Sequence, residues 1–158
     1  MAQTIPIIER RRIEAELLKE VYETLTEHFG KAEAKRVVAE SVRRSSIAQA
    51  AEFAKQAEGG TSLESFISIQ SNWTAGNALE IEETHRDATS FEFNVTRCRY
   101  AEMYKAMGLG EIGHLLSCNR DGSFCEGYDP KLKLTRTQTI MQGASHCDFR
   151  YRYEKNEG

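Results

Sequence analysis

The apolar residues of this chain change period once, near Asn77, and that change restricts the fold more than any other feature. Before it they recur every three or four residues. Ile8, Ile13, Leu17, Val21, Leu25 and Phe29 draw one face of a helix that Gly30 ends. Ala34, Val37, Val38, Val42, Ile47 and Phe53 draw a second, closed by Gly59-Gly60. A third, short helix is expected after Thr61 or Ser62, whose hydroxyl can accept from the free N–H groups of a first turn. It carries Phe66, Ile69 and Trp73. Beyond Asn77 the period falls to two. Leu79 and Ile81, then Phe91, Phe93 and Val95, alternate with polar residues around the turn "HRDATS", 85–90. A β-hairpin over 78–97 is therefore expected, after two helices that fill most of 7–58. Next come two short helices, in 98–108 and 109–118, parted at Gly108–Gly110. Three further strands are expected in "SFCEGY" (123–128), "KLKLTRTQTIMQG" (131–143) and "HCDFRYRYEK" (146–155), with a turn at Asp129-Pro130. The order gives an α+β fold, N-terminal helices packed on an antiparallel sheet.

The 158 residues are most simply one domain, with a helical part over 1–60 and an α+β part over 61–158. A net charge of −3 gives no nucleic-acid footprint. No apolar run approaches the ~20 residues needed to span a bilayer. The opening "MAQTIPIIERRRIEAELLKE" has the wrong order of charge and apolar residues for a secretory signal, so a cytoplasmic location is expected, with Cys98, Cys118, Cys125 and Cys147 as free thiols. Long amphipathic N-terminal helices suggest a homodimer, two-fold dimers being the commonest assemblies.

The chemistry-bearing residues crowd into "LLSCNRDGSFCEGYDP", 115–130. A lone cysteine is more often a small buried apolar residue than a reactive one. Cys118 has company: Asp121 stands three residues on, with Asn119 and Arg120 between. A free thiol ionises near pH 8.5, so a reactive Cys118 needs positive potential from Arg120, Arg136 or His146. His114, four residues before Cys118, is a helix-face partner or a helix-end cap. His28 and His85 read as surface residues, and Cys125 as structural. Cys98 sits at a strand-to-helix junction. Cys147 alternates with Phe149 and Tyr151, which points it inward, with His146 and Asp148 turned away unless a bulge re-aims one. Arg136 alternates with Leu134 and Ile140, a costly place for a charge unless it is paired; clamping a ligand carboxylate removes the conflict. There is no Cys-x-x-Cys pair and the histidines are scattered. A zinc or manganese site would need long-range assembly from Cys98, Cys118, Cys147 and Asp121.

Two stretches carry a resemblance: "NVTRCRYAEMYKAMGLGEIGHLLSCNRD" (94–121) and "GYDPKLKLTRTQTIMQGASHCDFRYR" (127–152). Together they resemble the L-2-amino-thiazoline-4-carboxylic acid hydrolase family, most strongly over about 72–153. The motifs that matter are Cys-x-Tyr-Ala-Glu, the spacing of Cys118 and Asp121, and the Arg-Thr-x-Thr run closing on His-Cys-Asp-Phe. The closing Gly143, Cys147 and Phe149 are also similar to the 4-vinyl reductase-type domain, which implies helices on an antiparallel sheet. Zinc-binding members of that group carry Glu-x-x-Cys-x7-Cys, where this chain reads Arg136, Thr139 and Cys147. The resemblance implies a hydrolase that opens a small carboxylated nitrogen and sulfur ring. In that role Cys118 is the expected nucleophile, Asp121 the orienting carboxylate and His146 the proton carrier. Arg136 would hold the substrate carboxylate. Cys98, Cys147 and Thr139 would line the pocket and Trp73 would cover it. No cofactor is expected. The alternatives are a non-catalytic ligand-binding or sensor domain, and a metal-dependent ring hydrolase using zinc or manganese.

Overall fold

A computed structural model describes residues 5–154. Helix α1 (Ile7–Phe29) and helix α2 (Lys31–Lys55) turn on Gly30, whose φ of 88° suits a residue without a side chain. Short helices α3 (Leu63–Ser68) and α4 (Ser71–Thr74) lead to the hairpin β1 (Leu79–Arg86) and β2 (Ser90–Cys98). Ser62 caps α3, its hydroxyl accepting from Ser65 N–H while Ser62 N–H donates to Ser65 Oγ. Helix α5 (Arg99–Ala106) is next, then a π-helical turn (His114–Cys118) that runs directly into α6 (Asn119–Tyr128). Strands β3 (Leu132–Thr135) and β4 (Cys147–Tyr153) complete the chain, parted by a 3₁₀ turn at Ile140–Gln142. No helix among the described residues is long and apolar enough to cross a membrane.

The four strands form one antiparallel sheet in the order β1-β2-β4-β3. Phe91 faces Tyr151, Phe93 faces Phe149 and Val95 faces Cys147 across the central pair. All six are buried, because a period of two puts them on one face. The other face carries Glu92, Asn94 and Arg150, whose guanidinium donates to Asn94 Oδ1 at 3.0 Å. Helices cover the apolar face. Phe66 meets Tyr151 at 4.8 Å between ring centres, and Trp73 and Phe124 meet edge to face at 5.2 Å. Burying an aromatic or aliphatic side chain of this size contributes ~1.5–3 kcal/mol. Helix α6 lies so close to α2 that a Cβ on Gly127 would stand 2.3 Å from the Ile47 carbonyl oxygen. Only glycine fits there.

The α+β architecture, the two long helices and the hairpin agree with the sequence expectation. Several local readings are corrected. Residues 123–128 are helical, not a strand: Arg120, Ser123, Phe124 and Tyr128 are buried at helical spacing. Gly122 does not break the chain, because it lies on the exposed side of α6 with nothing within 4 Å of its missing Cβ. The strand expected over 131–143 is paired only over 132–135. Beyond that, the Asp148 carboxylate accepts from Thr137 N–H at 2.9 Å and Gln138 N–H at 3.0 Å, in place of a ladder. On α1 the middle of the apolar stripe is turned outward, while Ile8 and Leu25 pack against the core. Ile13, Leu17 and Val21 are exposed, while Ile7, Arg11, Ala15 and Tyr22 form the buried face.

Candidate active site

The π turn places the cysteine and the carboxylate singled out from sequence. An extra residue in a helical turn rotates the helix beyond it, and such turns recur at functional sites. Cys118 ends the turn and Asp121 lies in the first turn of α6. Three apart on a helix, they share a side. Ser117, just before, is held by Tyr104 through a 2.7 Å hydroxyl pair.

Between α6, α1 and the apolar face of the sheet lies a chamber with two lobes. One has about 70 Å³ of space for water centres, and Cys98, Cys118, Arg136 and Cys147 border it. The other has about 50 Å³, and Phe66, Phe124 and Tyr151 border it. Arg11, Trp73, Leu79, Arg120, Asp121 and Phe149 border both. A wider groove of about 1260 Å³ near the start of α1 opens at the surface, and no cysteine or histidine lines it.

Of the residues singled out from sequence, Cys118, Asp121, Arg136, Cys98, Cys147 and Trp73 meet at this chamber. His146 and Thr139 do not border it. His146 bonds to Ser145 and Gln138, while Thr139 is buried and caps the 3₁₀ turn by accepting from Gln142 N–H. His114 is also elsewhere. Burial, then Lys35, lowers its pKa. Cys125 is buried in α6, its thiol directed at the Asp121 carbonyl.

Arg136 has specific partners. Its Nη1 donates to Asp121 Oδ2 at 2.6 Å and its Nη2 to the Cys118 carbonyl at 3.1 Å. Its guanidinium lies 5.2 Å above the Phe149 ring centre. The Asp121 side chain keeps 27% of its surface exposed and borders both lobes. Burial pushes its carboxyl above the ordinary range, against the pull of Arg136, Arg11 and Arg120. The thiols move the same way. Burial, then the Asp121 charge, pushes Cys118 up to about 12. Burial takes Cys98 to about 11, although its sulfur accepts from Ala101 N–H. Cys147 is raised too, while accepting from Ile140 N–H at 3.2 Å. A thiol raised this far is almost wholly protonated at pH 7. Cys118 therefore rests as a neutral thiol.

Sequence reasoning missed Arg11 and used Arg120 only as a source of potential. Arg11 is 3% exposed and Arg120 7%. Arg11 donates to Glu14 Oε1 at 3.0 Å and Gln49 Oε1 at 2.9 Å. Arg120 donates from Nε to the Leu116 carbonyl and from Nη2 to the same Glu14 oxygen at 3.4 Å. The signal for Arg11 was its place between Ile7 and Ala15 at four-residue steps, on a face kept narrow by the alanine. Among the described residues no three His, Cys, Asp or Glu side chains are grouped to hold a metal ion, so Cys98, Cys118, Cys147 and Asp121 share the chamber without forming a ligand set.

Helices over one face of a four-strand antiparallel sheet, enclosing a chamber of thiols, carboxylate and guanidinium groups, define an α+β domain built around a small internal site. The chain belongs to the L-2-amino-thiazoline-4-carboxylic acid hydrolase family, whose pattern matches residues 10–151. No curated protein matches it. Among solved structures it is similar to the phenol-responsive sensory domain of the transcription activator PoxR with phenol. The TM-score is 0.55 at 14% identity, over 90% of this chain and 74% of that one. It is also similar to a trafficking protein particle complex subunit 3 from Naegleria fowleri covalently bound to palmitic acid, with a TM-score of 0.49 at 12% identity, over 91% and 97% of the two chains.

Proposed function

We propose that the chain is a hydrolase that opens a small carboxylated nitrogen and sulfur heterocycle inside the two-lobed chamber. The observation that carries this reading is the convergence of Cys118, Asp121 and Arg136 on one apolar-walled cavity. Family membership supports the hydrolase class. Cys118 Sγ bonds to the amidine-like ring carbon as its proton passes to Asp121. The ring C–S bond breaks and the departing ring sulfur takes that proton. Water then adds to the same carbon and expels Cys118 as the thiol, leaving an open-chain urea, which divides one hard substitution into two easier ones. The thiol is unionised at rest, so its proton leaves as the ring arrives. A ring amidinium beside the sulfur favours the thiolate, as any nearby positive charge does. Asp121 orients that amidinium: Arg136 occupies Oδ2, and no hydrogen bond among the described residues occupies Oδ1. A carboxyl whose affinity for protons is raised by burial also suits proton transfer to the departing ring atom. Proton transfer rests with Asp121 in this scheme, because His146 lies off the chamber wall.

The test is turnover of 2-amino-thiazoline-4-carboxylate, with ring opening followed by mass spectrometry. Wild type and Cys125→Ser should turn over alike, and Cys118→Ser should lose at least ~100-fold. Near-wild-type turnover by Cys118→Ser would remove the nucleophile from the scheme. A second reading, ligand binding without chemistry, is favoured by the neutral resting thiol and by the likeness to a phenol-responsive sensory domain. Tight ring binding with no turnover by the wild type would select it.

A further inference from the structure

The charges around the chamber are matched unequally. On one side Asp121 and Arg136 pair one to one. On the other, two buried guanidinium groups, Arg11 and Arg120, share one oxygen of one carboxylate, Glu14 Oε1. Glu14 is further divided, since its other oxygen accepts from exposed Arg10 at 3.2 Å. Gln49 completes Arg11 but brings no charge. Arg120 Nη1 is buried and has no hydrogen-bond partner. A buried donor left unmade is costly, and a buried charge without a full counter-charge more so. Burial, then the charge of Arg11, lowers the Arg120 pKa to about 10, which leaves it charged at neutral pH. An excess of positive charge is thus built into the wall that both lobes share.

We propose that Arg11 and Arg120 are the seat of a ligand carboxylate, and that the ligand is a carboxylate-bearing molecule about one ring in size. This rests on the reading that the chamber is the substrate site. Arg136, the sequence candidate for that clamp, is committed to Asp121 and the Cys118 carbonyl. Shape points the same way. Neither lobe, at about 70 and 50 Å³, reaches the ~150 Å³ of a cavity known to admit benzene, and the two together still fall short of it, so a ring must span both and widen the junction between them. Arg11 and Arg120 stand at the junction, which Trp73, Phe149 and Asp121 also border. With its carboxylate there, the ring has the Cys118 lobe on one side and the aromatic lobe on the other.

Benzoate and benzamide test the charge without any ring chemistry, being flat, nearly equal in size and one charge apart. Titration calorimetry on the full chain at pH 7.5 should show benzoate binding at least ~30-fold tighter than benzamide. Arg120→Lys keeps a buried charge but loses the planar fork, and Arg11→Lys does the same from α1. Each should erase most of the preference with benzamide binding unchanged. Arg136→Lys should leave the ratio within ~3-fold of wild type, and exposed Arg43→Ala is the surface control. Should a lysine variant fail to fold, the wild-type ratio still decides. Equal binding of the two probes by the wild type, or no binding of either, would overturn the seat. So would a preference lost in Arg136→Lys and kept in Arg120→Lys. The two readings separate: thiazoline turnover without a benzoate preference removes the seat alone, and a preference without turnover removes the hydrolase alone.

Discussion

The walls that α6 and α1 give to the chamber are built by opposite rules. Helix α6 turns its polar, reactive residues inward as a matched set: Asp121 has its own cation in Arg136, and Cys118 lends Arg136 its carbonyl. Helix α1 turns Arg11 inward and spreads Glu14 over three guanidinium groups, while Ile13, Leu17 and Val21 face out. In the proposed scheme the matched wall carries the chemistry and the unmatched wall seats the anion.

The largest expected effect comes from unmatching α6. Arg136→Met strands the Asp121 carboxylate, and removing one member of a shielded pair costs ~3 kcal/mol at pH 8. The sign with pH is fixed. Burial already raises Asp121 in the folded state, and without Arg136 it rises further. A carboxyl raised on folding gives stability that is full below its unfolded pKa and is lost as pH climbs through the folded one. Urea midpoints should therefore show the variant recovering part of its loss between pH 8 and pH 5. A loss that ignored pH would mean that Asp121 is solvated and the wall is not matched as described.

Next is the seating of α6. Gly127→Ala drives a Cβ to 2.3 Å from Ile47 O and 2.9 Å from the Ala50 Cβ. Overpacking of this kind costs ~1–3 kcal/mol. It should also move Cys118 and Asp121, so activity should fall more than thermal stability predicts. Gly122→Ala, with open space at its Cβ, should be neutral or slightly stabilising in a helix interior. Equal penalties for the two would show that α2 yields readily, and that the close approach does not fix the site.

The thiols give a third, smaller effect. Cys118 and Cys125 are each raised from the ordinary value of 9.0 to about 12, and Cys98 to about 11. A thiol raised on folding leaves stability full below pH 9 and removes it progressively up to the folded values. Melting temperature should fall as pH passes from 9 to 11. Cys118→Ala should flatten that fall, provided the cavity it leaves is tolerated. Alkylation of native Cys118 at pH 7.5 should be slow, since almost no thiolate is present. Fast alkylation would reveal a reactive thiol and invert the account of the resting site.

How much of the molecule is legible in the sequence depends on how much period and spacing can carry. The two long helices, the hairpin and the inward run of Phe91, Phe93, Val95, Cys147, Phe149 and Tyr151 were visible because each repeats one period over several residues. Residues 119–128 were not, because Gly122 and Gly127 look like breaks until their surroundings are known, and the π turn has no pattern of its own. The approach of Cys118, Asp121 and Arg136 was suggested by residue chemistry. Arg11 was hidden by distance, since nothing in residues 7–29 says that an arginine there will stand beside residue 120. Nor does period say which face of α1 is inward. Ile13, Leu17 and Val21 belong to the apolar stripe, yet the face with Ile7, Arg11, Ala15 and Tyr22 is the one that packs inward.

The smallest effect on stability tests that outward stripe. Leu17 is 69% exposed, Ile13 49% and Val21 38%, four residues apart along one side of α1. The homodimer expected from sequence would use it, with α1 lying antiparallel on α1 of a second copy. In that pairing Ile13 meets Val21 and Leu17 meets itself. Antiparallel packing also opposes the two helix dipoles favourably. Leu17→Glu then puts two like charges at the two-fold axis. A surface substitution should change folding stability by no more than ~0.5 kcal/mol, yet light scattering at micromolar concentration should show a mass near one chain where the wild type shows two. Leu17→Met, which keeps the apolar surface, should remain dimeric. A wild type that is already monomeric would leave the stripe without this partner. A dimer untouched by Leu17→Glu would place the interface on another face, and the contrast between the two helices would then be confined to the chamber.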